Sequence, residues 1–201
     1  MIKTAMAAGL LGLACCVGVA QAAQPSTVAA ASSHHAETEL RQAMQEALWP
    51  ADIVRLSGDY LRQYPGGNWA DAARALHERA STSAQVLGRK DVRLYRTAFQ
   101  PTLAAPELKD EIRKAALGDQ DAAIRLARGQ QINDDGADVA TANSRYVGWL
   151  QYAAMLGHQQ AAYELALHFR KQDQPVLASQ YEARAVALGY TPPTVLDHVR
   201  K

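Results

Sequence analysis

The chain has little cysteine. Its 2 cysteines are Cys15 and Cys16, and both lie inside the first 22 residues, which read as a removable leader. Behind that leader there is no thiol. A cysteine nucleophile, a disulfide framework and a Cys-based metal site are thereby excluded. An exported chain of this kind relies on packing alone for its stability. An excess of one charge is also missing. The full sequence carries 21 Lys and Arg against 20 Asp and Glu. Losing Lys3 with the leader makes the two signs equal. A neutral chain offers no electrostatic case for nucleic acid or an anionic membrane, and no basic stripe interleaved with aromatics is present. Sustained apolar-polar alternation between hairpin turns is absent, so no strand is predicted. G-x-S-x-G, H-E-x-x-H, a phosphate-binding Gly-rich loop and a dinucleotide fingerprint are absent as well.

The leader is expected over 1–22. Lys3 supplies the positive end, and Ala7–Ala20 is an apolar run short for a membrane span. Ala20-Gln21-Ala22 fits a small-x-small cleavage rule, with the cut after Ala22. The alternatives are an uncleaved anchor and a lipid-modified Cys16, which Cys15 directly before it fits poorly. After the cut, 23–35 (AQPSTVAAASSHH) is small, polar and unpatterned. It is expected to be a flexible tether, with His34 and His35 solvated.

What the sequence does have is a recurring turn. Gly118 sits in AALGDQDAA, Gly157 in AMLGHQQAA and Gly189 in AVALGYTPP. Glycine suits the left-handed residue that ends a helix, having no Cβ to clash. Before Gly157, the residues Trp149, Tyr152, Ala153 and Leu156 share one helical face. After it, Ala161, Ala162, Leu165, Ala166 and Phe169 do so. Aligned on the glycines, Trp149 matches Tyr181, Ala153 matches Ala185, and Leu126-Ala127 matches Leu165-Ala166. The glycines are 39 and 32 residues apart, and self-similarity at such periods marks stacked helical pairs.

These residues carry a resemblance. Trp149, Ala153, Ala154, Gly157, Ala162, Leu165 and Phe169, followed by Ala178, Tyr181, Ala185 and Gly189, resemble the Sel-one-like repeat, a relative of the tetratricopeptide repeat. Ala166 departs from the pattern, where such repeats often carry Gly. Lys114 stands in the first unit where Ala153 and Ala185 stand later, so that unit reads as a degenerate or capping one. A shorter stretch, YLRQYPGGNWADAARAL, resembles a tetratricopeptide-type pair through Tyr60, Leu61, Tyr64, Pro65, Trp69, Ala73 and Leu76. The resemblance implies an all-α, right-handed α/α superhelical solenoid that binds proteins, with no catalytic residues. It divides 36–201 into a tetratricopeptide-like part, 36–100, and a Sel-one-like part, 106–190.

Helices are predicted over 36–48, 51–64, 69–80 (capped by Asn68), 107–117, 122–131, 160–171 and 175–188. Stretch 81–101 is expected to be one interrupted helix or two short ones. Loop 132–138, INDDGAD, fails the EF-hand spacing and reads as a turn before a helix capped by Asp138 or Thr141. A short helix is expected at 194–201.

No cofactor or metal is implied. His77, His158, His168 and His198 are scattered, and Glu164 with His168 reads as a surface pair one turn apart. The function expected is an exported, periplasmic, non-catalytic scaffold or regulator. Its partner would be a protein or peptide of the cell envelope. The alternative is a cell-wall hydrolase with a site on the concave face. On a helical wheel Tyr163 and Leu167 are candidate anchors, with Arg125, Arg128 and Glu164 orienting the partner. The competing reading is that the two anchors pack against the neighbouring repeat as core.

Overall fold

The computed structural model describes residues 26–101, 108–132 and 139–191. Among these, all regular structure is helical, so the protein is all-α. The leader, loop 133–138 with Asp138, and 194–201 lie outside the described residues. Eight α-helices are described: α1 Ser26–Glu46, α2 Pro50–Gln63, α3 Ala70–Leu87, α4 Leu108–Ala116, α5 Gln120–Ile132, α6 Val139–Leu156, α7 Gln159–Lys171 and α8 Pro175–Ala187. A 3-10 turn covers Arg96–Phe99. Two compact units are defined, Met1–His35 and Ala36–Lys201. In the first, the described part of the expected tether, 26–35, is helical. The run Ala29–Ala31 has the highest helix propensity available, and no glycine or proline interrupts it.

In the second unit, α2 and α3 form a hairpin. Pro50 starts α2, as its missing N–H is harmless there. Tyr60 is fully buried with Met44 and Ala73. Its hydroxyl donates to Glu37 Oε1 at 2.6 Å and accepts the Trp69 N–H at 3.2 Å. One side chain thus ties α1, α2 and the start of α3. The helix begins behind Trp69 without a side-chain cap, so Asn68 does not serve as one. Nor does α3 stop at Ala80. It continues to Leu87, with Ser81 returning its hydroxyl to the His77 carbonyl at 2.6 Å and Ser83 buried. Such back-bonding lets serines persist inside a helix.

Past Gly88 the chain is not the interrupted helix expected. Residues 92–95 belong to no helix, and their side chains alternate in and out as those of an extended segment do. Val92 and Leu94 are buried, while Asp91, Arg93 and Tyr95 are exposed. The 3-10 turn then places Phe99 among aromatic rings. Its centroid lies 5.1 Å from Trp49, 4.8 Å from Trp149 and 6.1 Å from Tyr152.

From α4 onward each helix packs on the next in sequence, and α6 also meets α3. The sequence suggested one apolar face on α6. Instead every residue from Gly148 to Ala154 is buried. A helix apolar all round belongs inside a core, and Trp149, Leu150, Tyr152, Ala153 and Ala154 are there. The Tyr152 hydroxyl donates to the Ala115 carbonyl at 2.7 Å, and burial pushes its phenol well up from 10.0.

The three glycines share one geometry. Gly118, Gly157 and Gly189 have φ of +88°, +108° and +91°. In each case the next N–H reaches back to close the helix: Asp119 to Lys114 O at 3.0 Å, His158 to Ala153 O at 3.0 Å, Tyr190 to Ala185 O at 2.9 Å. This is the Schellman arrangement. Successive turns also meet. A Cβ on Gly157 would lie 3.4 Å from Gln120 Oε1, and one on Gly189 would lie 3.6 Å from Gln159 Oε1. Gln120 and Gln159 each stand two residues after their own glycine, so the same contact recurs. A fourth cap, ending α7, uses Asp173 at φ +54°.

Gly157→Val is expected to lower stability by about 1 kcal/mol or more, because a β-branched residue is strained at positive φ. Thermal unfolding measures this, and an unchanged midpoint would mean that the cap tolerates a side chain. Tyr152 gives a pH test. Its phenol is raised in the fold, so its contribution is complete below the unfolded value of about 10 and is lost as pH rises past it. The wild-type melting temperature should fall above pH ~10, and Tyr152→Phe should fall less steeply there. Parallel slopes for the two proteins would show that Tyr152 titrates normally.

Candidate functional site

The five residues singled out in sequence lie on α5 and α7. Tyr163 is 7% exposed. Its ring stacks on Tyr190 with centroids 4.5 Å apart, so it packs against the next turn. Leu167 is half-buried against the same core. Arg125 pairs with Glu111 of α4 at 2.8 Å. The Arg128 guanidinium pairs with Glu164 and joins α5 to α7. The structure therefore brings Arg128 and Glu164 together, ties Arg125 elsewhere, and turns Tyr163 inward. Glu164 meets Arg128 rather than serving His168. The His168 ring is edge-on to Tyr146 at 6.0 Å, and burial lowers its pKa.

Other groups bear on catalysis. His77 Nδ1 lies 3.1 Å from both Ser57 Oγ and the Val54 carbonyl. The Ser57 hydroxyl is fully buried and donates to the Ile53 carbonyl at 2.6 Å. Buried inside the α2–α3 hairpin and shared with backbone carbonyls, this hydroxyl has no open approach for a substrate. His158 caps α7, its Nδ1 accepting the Ala161 N–H at 3.1 Å. Among the described residues, no group of three or more His, Cys, Asp or Glu is placed to hold a metal ion.

The feature that sequence reasoning missed is a cleft of about 530 Å³. The 89–93 segment forms one wall, α6 the floor, and α8 with the end of α7 the other wall. Val147, Met155, Leu177 and the stacked rings of Phe169 and Tyr181, 5.5 Å apart, give it an apolar body. Gln151, 7% exposed, organises the floor. Its Oε1 accepts the Arg93 N–H at 2.9 Å, which fixes the wall to α6.

The rim is basic. Arg89, Lys90, Arg93 and Arg184 line it against a single acid, Asp91. Arg89 holds Asp91 through two bonds, of 2.9 and 2.8 Å. That contact draws the carboxyl below its ordinary range. Arg184 Nε donates to the Ala154 carbonyl at 3.0 Å, capping the end of α6 and leaving its terminal nitrogens for the cleft. A cleft of this size, with apolar side chains at its base and charged and amide groups around them, can seat a ligand that carries both kinds of group. The signal in sequence was the run Arg89-Lys90-Asp91-Val92-Arg93, in the stretch whose structure was hardest to read.

Compared with known proteins, the chain matches no family model, no curated protein and no solved structure.

The wall is held close by one glycine. A Cβ on Gly148 would lie 2.6 Å from the Arg93 carbonyl oxygen. Gly148→Ala must therefore push the 89–93 wall off α6, and is expected to cost about 1–3 kcal/mol. Chemical unfolding tests it, and a variant as stable as wild type would mean that the wall shifts freely.

Proposed function

We propose that the protein is an exported, periplasmic, non-catalytic scaffold of the Sel-one-like, tetratricopeptide-related kind, built as a right-handed α/α superhelical solenoid. It binds a protein or peptide partner of the cell envelope. The observation that carries this reading is the recurrence at Gly118, Gly157 and Gly189 of one cap, with the same glutamine contact between successive turns. Similar units stacked one after another are how repeat proteins extend a surface for partners. The Ser57–His77 arrangement gives no support to the hydrolase alternative. Among the described residues, no helix is long and apolar enough to cross a membrane.

The test has two parts. Intact mass of the protein from the periplasmic fraction should correspond to a chain beginning at Ala23. Retention of 1–22, or a lipid on Cys16, would overturn the export reading. Immobilised mature protein should then enrich one envelope protein reproducibly, and heat-unfolded bait should not. Purified protein that degrades cell-wall material and captures nothing would replace the scaffold with the hydrolase.

A further inference from the structure

The cleft between the 89–93 wall and α8 differs from the rest of the surface in one respect. Elsewhere eight described cations sit in local ion pairs, among them Arg125 with Glu111, Arg128 with Glu164 and Arg170 with Glu182, and the exposed ones that do not, Arg79, Lys109, Arg145 and Lys171, line no cleft with one another. Around the cleft, Arg89 neutralises Asp91, and Lys90, Arg93 and Arg184 remain without a carboxylate bonded to them among the described residues. Three uncompensated cations thus converge on one cleft, in a chain whose whole net charge is +1. Like charges held together repel, and an anionic occupant relieves that repulsion.

The remaining lining says what kind of anion. Val147, Met155 and Leu177 offer contact to apolar side chains, and Leu177 is 37% exposed. The side chains of Gln174 and Gln180 carry both donor and acceptor atoms, and no hydrogen bond engages them among the described residues. Amides facing a cleft suit the N–H and C=O groups of an extended chain. A membrane surface is flat, and these cations lie around a concavity.

We infer that this cleft docks a short, extended, acidic peptide segment of a partner protein. Its carboxylates meet Lys90, Arg93 and Arg184, and its apolar side chains rest on Leu177 and Met155. This deepens the scaffold reading and assigns it a site distinct from Tyr163 and Leu167.

The probe is a fluorescein-labelled octapeptide of alternating glutamate and leucine, titrated with the full mature chain and followed by anisotropy. Binding is expected to weaken about tenfold or more in the Lys90→Glu, Arg93→Glu double variant, and as salt rises from 50 to 500 mM. Both side chains are exposed, so the melting curve should not move. Should it move, Leu177→Ser carries the same test. The same peptide with glutamine for glutamate should bind at least about tenfold more weakly. Undiminished binding by the folded variant, equal binding of the glutamine peptide, or binding of phosphatidylglycerol vesicles without the peptide would overturn the inference. Envelope capture separates this site from the wider reading. A partner retained equally by wild type and the double variant removes the cleft and leaves the scaffold. Peptide binding without any captured partner removes the scaffold and leaves the cleft.

Discussion

The structure depends on the burial, on every side, of the 148–154 stretch of α6. Trp149, Leu150, Tyr152, Ala153 and Ala154 are each at most 1% exposed. A helix in that position needs neighbours around its whole circumference, and each neighbour is thereby fixed. Helices α5 and α7 cover it from either side in sequence, α3 meets it, and the extended wall lies across Gly148. The small residues set the distances. Ala153 and Ala154 allow close helix approach, and Gly148 allows backbone contact. The large residues fill what remains, with Phe99 inserted between Trp49 and Trp149.

The turns carry the second constraint. A Schellman cap fixes where a helix ends and in which direction the chain leaves. Three such caps on glycine, two of them beside a glutamine from the preceding turn and the first beside Ser83 of α3, end their helices with the same geometry. Arginines reinforce the ends: Arg79 donates to the Leu117 carbonyl at 3.3 Å and Arg184 to that of Ala154 at 3.0 Å. A cation on the last carbonyls of a helix complements its dipole, by roughly 0.3–1 kcal/mol at an exposed site.

Local chemistry was readable in the sequence, and non-local packing was not. The caps at Gly118, Gly157 and Gly189 were legible because a left-handed residue selects glycine whatever surrounds it. Asp173 performs the same role without glycine and left no such mark. The end of α3 was misread because Ser81, Thr82 and Ser83 lower helix propensity, while the bond from Ser81 to the His77 carbonyl and the burial of Ser83 appear only in the fold. The run Val92–Leu94 was unreadable because its burial is supplied by α6, far along the chain. Tyr163 shows the same limit: periodicity assigns a residue to a face and does not say whether a neighbour such as Tyr190 covers it. The cleft escaped for a stronger reason. Its lining comes from three separated segments, and no window of sequence contains them together.

The cleft is nevertheless a consequence of the core. Because the 148–154 stretch of α6 is buried all round, the chain crossing it must lie flat enough to pass over Gly148, which an extended backbone does and a helix with its ring of side chains does not. An extended backbone alternates its side chains. With Val92 and Leu94 held inward by α6, Arg93 has to point outward, and the Arg93 N–H is then held by Gln151. The wall that closes the core on one side therefore presents cations on the other, beside the rings and amides that α8 and the end of α7 bring to the cleft. Burying α6 and charging the cleft rim are two effects of one extended segment.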